Sequence, residues 1–149
     1  MKTFLTIAFL SWIVAGAKAQ NNSVMENQEN EISAISTVLE NYYFKGLYQG
    51  NIDLLGVIFN PGTLLFGDIK GTPYAKTLDQ YLEGVKNRQS PKDSGKPFKG
   101  EILSVHVVNS IAVAEVSIQM YGIIYRDLLS FHKINGKWLI VNKMLTETN

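Results

Sequence analysis

The stretch Tyr125-Arg126-Asp127-Leu128-Leu129-Ser130-Phe131-His132-Lys133-Ile134-Asn135-Gly136-Lys137-Trp138-Leu139-Ile140-Val141-Asn142-Lys143-Met144 decides the fold. Two alternating apolar runs flank Asn135-Gly136, a pair that tolerates the positive φ that a type I′ turn demands of both its central residues. A two-residue loop sets the register: Ile134 opposite Lys137, Phe131 opposite Ile140, Leu129 opposite Asn142 and Asp127 opposite Met144. Tyr125, Asp127, Leu129, Phe131, Trp138, Ile140, Asn142 and Met144 then share one face; Arg126, Leu128, Ser130, His132, Leu139, Val141, Lys143 and Leu145 share the other. The first face sets aromatic bulk around a small polar island and is expected to face the interior. The second is expected to face solvent or a subunit interface.

Further strands are predicted upstream at 101–108 and 111–120, the hairpin strands themselves running over 124–134 and 137–145. Residues 89–100, with Pro91, Pro97, Ser90, Ser94 and Gly95, read as a loop. Before it the period changes. Ile32, Ile35, Val38, Leu39, Tyr42, Tyr43 and Gly46 recur at three- and four-residue spacing, which predicts an amphipathic helix ending near Gln49-Gly50. Asn51 is placed to cap a second helix with the stripe Ile52, Leu55, Ile58 and Phe59, stopped by Asn60-Pro61-Gly62. A short strand at 63–66 and a turn-rich connection at 67–73 lead to a third helix, where Thr77 and Gln80 form a capping box and Leu78, Tyr81, Leu82 and Val85 share a face. Helices followed by long antiparallel strands define an α+β class, with three N-terminal helices covering one face of a curved antiparallel sheet.

The whole chain has 149 residues, 46% hydrophobic and 18% charged, with 14 Lys and Arg against 13 Asp and Glu and no cysteine. That length suits one domain, and the charge balance gives no electrostatic footprint for nucleic acid. Absent cysteine excludes disulfides, thiolate nucleophiles and cysteine-based zinc sites. Met1-Lys2-Thr3, the apolar run 4–14 and the small-x-small pattern of Ala17 and Ala19 read as a secretory signal peptide, 1–19, cleaved after Ala19. Its apolar core is too short to span a bilayer as a helix. The product is expected to be secreted or periplasmic, with no membrane association after cleavage. Residues 20–30, polar and Asn-rich, are expected to be a disordered leader before a single domain at 31–149.

The order of three helices, a short strand pair and a long sheet resembles the nuclear transport factor 2-like superfamily, whose cone-shaped, cystatin-like fold holds a pocket between helices and sheet. Tyr43-x-x-Gly46-Leu47-x-x-Gly50-Asn51, Phe59-Asn60-Pro61, Leu78-x-x-Tyr81 and the hairpin Tyr125 to Lys143 are similar to its lumazine-binding branch. The resemblance spans roughly 32–145 and implies the fold and a homodimer. Leu128, Leu139, Val141 and Leu145 add an outer face more apolar than water favours. Function does not follow from this fold, which hosts isomerases, dehydratases, cyclases, hydrolases and binding modules.

Asp127 is the first candidate residue, because a carboxylate on an interior face needs a partner. Asn142 is its predicted diagonal neighbour. A ligand anchor or general acid-base and a structural carboxylate are both open readings. Tyr43 lies where ketosteroid isomerases of the superfamily carry a donor tyrosine, but the corresponding base is shifted: Asp68 follows Phe66-Gly67 one residue late. His132 falls opposite Asp127 and His106 has no ligand-type neighbour, so no metal is expected, and no cofactor motif occurs. Lys86, Arg88, Lys92, Lys96 and Lys99 against Asp93 read as a solvated loop or as a flap selecting anions. The leading expectation is a pocket for a small aromatic or heterocyclic ligand, walled by Tyr43, Phe66, Tyr81, Tyr125, Phe131 and Trp138 and anchored by Asp127 and Asn142. A cofactor-free isomerase, dehydratase or cyclase using Asp127 and Tyr43, and a non-catalytic interaction module, are the alternatives.

Overall fold

The computed structural model describes residues 11–148, with side chains from Met25 onward. Of the export signal, residues 1–10 lie outside the described residues. Helix α1 (Ser11–Val38) continues through a π-helical turn, Leu39–Phe44, into α2 (Lys45–Gln49). Residues 20–30, expected to be a disordered leader, are thus helical: no Gly or Pro lies between Gly16 and Gly46 to stop the helix. Ile32 opens the larger of the two units into which the chain divides, and that unit holds the remaining helices and the sheet. Gly50, at φ 63, caps α2 in the left-handed region, and the Asn51 side chain accepts from Asp53 N and Leu54 N to start α3 (Ile52–Ile58). The Thr77–Gln80 capping box starts α4 (Leu78–Asn87), and one short turn, α5 (Pro91–Ser94), stands within the predicted loop.

Six strands form one curved, unclosed sheet: β1 (Phe59–Ile69), β2 (Thr72–Thr77), β3 (Lys99–Val108), β4 (Ile111–Met120), β5 (Ile123–Ile134) and β6 (Lys137–Glu147), in the order β2-β1-β6-β5-β4-β3. The sheet is mixed rather than wholly antiparallel, because β1 pairs with β6 in parallel. Parallel neighbours need a long crossover, and here everything from β2 to β5 lies between the two strands. The connection expected at 67–73 is largely strand. Its turn is Lys70-Gly71, both at positive φ, and Gly67 sits between strands at φ 146, where a Cβ would fall 1.7 Å from the Leu145 carbonyl oxygen. Phe59 begins β1 instead of closing the second helix, and Gly62, at φ 84, accompanies a register shift before Leu64.

The β5–β6 hairpin turns at Asn135-Gly136 with both residues at positive φ, pairing Ile134 with Lys137 and Phe131 with Ile140 as predicted. Beyond Ile140 the register slips. Ser130 pairs with Asn142, Leu129 with Lys143 and Asp127 with Leu145, leaving Val141 unpaired in a β-bulge. Because side chains alternate, one extra residue reverses every later side chain of β6. Lys143 and Leu145 therefore turn inward, while Asn142 and Met144 turn outward, Met144 being 51% exposed. The assignment of β5 stands: Asp127, Leu129 and Phe131 are buried and Leu128 and His132 exposed. The core packs Ile35, Leu39, Tyr43 and Leu47 of the first helix and Leu55 and Ile58 of α3 together with Leu65, Ile118, Leu129 and Ile140 of the sheet.

Candidate functional site

A cavity of about 190 Å³ opens between α4 and the inner face of the sheet. Tyr81 and Val85, four residues apart on α4, and Arg88, the extended residue that caps its C-terminus, form one wall. Tyr74 of β2 and Tyr125 of β5 stand with Tyr81 as its aromatic lining, and Ile69, Ile118 and Met120 add aliphatic surface. Its charged lining residues are Lys76, Arg88, Lys143 and Asp127.

Asp127 and Lys143 meet at the cavity, their side chains 2% and 6% exposed. Lys143 Nζ donates to Asp127 Oδ2 at 2.9 Å and to the Tyr43 hydroxyl oxygen at 2.6 Å, and the Tyr43 hydroxyl donates to the same Oδ2 at 2.7 Å. Tyr43 does not line the cavity; it reaches it through these two partners. The π-helical turn inserts an extra residue into the helical repeat, so that Leu39, Tyr43 and Phe44 are all buried. Phe44 and Phe59 then brace the Tyr43 ring at centroid distances of 5.9 and 6.1 Å. The Lys143 ammonium also lies 5.3 Å from the ring centroids of both Tyr43 and Tyr81.

Burial pushes the Tyr43 phenol well above its ordinary range, and the Asp127 carboxylate pushes it further, so it serves as a neutral donor. Burial presses Lys143 the other way, but the Asp127 carboxylate outweighs it with the help of nearby groups, and the ammonium is held above its usual value. Tyr74 and Tyr125 are raised mainly by burial. The knot is a charged, hydrogen-bonded pair with one oxygen to spare. Asp127 Oδ1, the Tyr81 hydroxyl, and Nε and Nη2 of Arg88 are buried without a hydrogen-bond partner among the described residues. Such groups ordinarily find partners, and all four belong to residues that line this cavity.

Of the residues predicted for the site, Tyr81, Tyr125 and Asp127 line the cavity and Tyr43 supports it. Phe131 and Trp138 are core residues that do not line it. Phe66, 42% exposed, and Asn142 stand on the outer face, where Asn142 Nδ2 donates to the Leu64 carbonyl at 3.1 Å. The expected Asp127–Asn142 pair is therefore replaced by Asp127–Lys143, through the bulge at Val141. Asp68 bonds Thr146 Oγ1 at 3.0 Å and does not line the cavity either. Lys143 and Tyr74 escaped sequence reasoning as site residues. Arg88 stands in the basic run read as a solvated loop or an anion-selecting flap, and the other members of that run do not line the cavity.

A mixed sheet backed by helices, with a cavity between the two layers, is the nuclear transport factor 2-like fold. Solved structures agree: NTF2-like proteins of unknown function from Silicibacter pomeroyi, Shewanella baltica and Methylobacillus flagellatus are 22%, 21% and 21% identical, with TM-scores of 0.72, 0.71 and 0.71. Each match covers 80% of this chain, and 98%, 95% and 94% of the respective relatives. The chain belongs to the family described as "Putative lumazine-binding", whose pattern matches residues 30–146. Comparison with curated proteins returns no match.

Proposed function

We propose that this protein binds a small aromatic or heteroaromatic molecule in the cavity between α4 and the sheet. The observation that carries the reading is that three residues lining one tyrosine-rich space, Asp127, Tyr81 and Arg88, hold four buried polar atoms without a partner among the described residues. An interaction module that filled its own pocket would pair these groups internally. The volume supports a compact ligand, since about 150 Å³ of apolar cavity already holds a benzene ring. The family description adds lumazine, a planar bicycle with N–H donors for Asp127 Oδ1 and carbonyl acceptors for Arg88 and Tyr81. Lys143 and Tyr43 both bond Asp127 Oδ2, which leaves Oδ1 as the carboxylate's open acceptor for a ligand donor.

Thermal melting in the presence of lumazine, other pterin-like rings, aromatic acids and steroids tests this. A compound from the first three groups at 100 times its Kd is expected to add about 2.7 kcal/mol, several degrees in Tm, and steroids nothing. Asp127→Asn should erase the shift. If no compound moves the wild-type transition, the binding reading fails.

The proposal includes export and dimerisation. Export is supported by the lysine, apolar run and Ala17-x-Ala19 at residues 1–19. The dimer is supported by exposed Leu64, Phe66, Leu128 and Met144 on the outer face of the sheet. Intact mass of the secreted product should begin at Gln20, and sedimentation equilibrium should give twice the mass of that chain. A retained leader or a monomer mass would refute the respective part.

A further inference from the structure

Resting on the reading that this cavity holds a ligand, we propose that the ligand is a small aromatic acid bound as its carboxylate. Arg88 forks onto the carboxylate, and Asp127 Oδ1 accepts from a hydroxyl or amino group elsewhere on the molecule. Arg88 lines the cavity with Nε and Nη2, one edge of its guanidinium, buried and without a partner, and the two N–H bonds of such an edge match the two oxygens of a planar carboxylate. A single carbonyl would satisfy only one of them. The fork is held in place beforehand: the guanidinium lies 5.7 Å from the Tyr121 ring centroid, and the Tyr121 hydroxyl donates to the carbonyl of Gln89, the next residue along the chain.

Charge selects in the same direction. Lys143 is neutralised by Asp127, which leaves Arg88 and Lys76, the latter 5.1 Å from the Tyr74 ring centroid, without a carboxylate partner at the cavity. A neutral ligand would leave that field unbalanced. A dianion would have no second fork, and any group placed against Asp127 Oδ1 must be a donor, so the complementary molecule has an anionic end, an aromatic body and a donor. Tyr74, Tyr81 and Tyr125 supply faces for the ring.

Calorimetric titration of the full chain with 3- and 4-hydroxybenzoate, their methyl esters, lumazine and inorganic phosphate tests the inference. At least one acid should bind about 10–100-fold tighter than its ester, the range expected for a charge-assisted contact. Arg88→Gln should remove that preference by lowering acid affinity to that of the ester, and Arg88→Lys should restore only part of it. Esters or lumazine binding as tightly as the acids, or acid binding that survives Arg88→Gln, would overturn the carboxylate assignment while the cavity reading stood. Phosphate competing as well as the acids would also overturn it, by making the site a general anion trap. Binding of none of these probes would sink both readings.

Discussion

Lys143→Met is expected to lower the unfolding free energy at neutral pH by about 3–5 kcal/mol, the cost of stripping a buried charge of its partner. The substitution keeps the length and much of the apolar stem while removing the ammonium, so its main consequence is electrostatic. Asp127 Oδ2 is left with the Tyr43 hydroxyl alone, and Oδ1 already lacks a partner. Adding Asp127→Asn should recover most of the loss, because a neutral amide no longer needs a countercharge and Tyr43 can still donate to its oxygen. Urea unfolding of the wild type, both single variants and the double variant gives the coupling directly. A cost for Lys143→Met below about 1 kcal/mol would show that water entering the cavity solvates the carboxylate, and the pair would then hold no structural role.

The pair also shows where sequence reasoning reaches its limit. The Asn135-Gly136 turn was legible because its two positive φ values restrict the residue types, and from it the register as far as Ile140 followed. The inner face of β5 followed as well, since no bulge interrupts the alternation between Asp127 and Phe131. The bulge at Val141 carries no such chemical mark. Valine is an ordinary strand residue, and the slip is set by how β6 must fit between β5 and β1 at once. That contact lies far away in the chain. Sequence therefore placed a carboxylate inside and demanded a partner for it, but offered Asn142 in place of its neighbour Lys143. The helix caps at Asn51 and Thr77 were legible for the same local reason as the turn. The parallel β1–β6 pairing and the burial of the Arg88 fork were not, because both depend on partners distant in sequence.

Alkaline unfolding should report the same knot from the opposite direction. Tyr43 and Lys143 both have folded-state values raised above their ordinary 10.0 and 10.5, so each keeps its proton after the unfolded chain has released its own. Their contribution to stability is fully present below those ordinary values and is lost as pH rises through the folded ones. The unfolding free energy is therefore expected to be level from about pH 7 to about pH 9. It should then fall with a slope approaching about 1.4 kcal/mol per pH unit for each group. Tyr74 and Tyr125 shift in the same direction but are only partly buried, so solvent reduces what they add. Tyr43→Phe removes one of the two buried protons without creating an unpaired charge, since Lys143 still holds Asp127. Its stability should fall less steeply above about pH 10 by close to one proton, measured as the pH dependence of urea unfolding. An unchanged slope in Tyr43→Phe would mean that the phenol titrates freely in the folded protein, and the buried hydrogen bond to Asp127 could not then form.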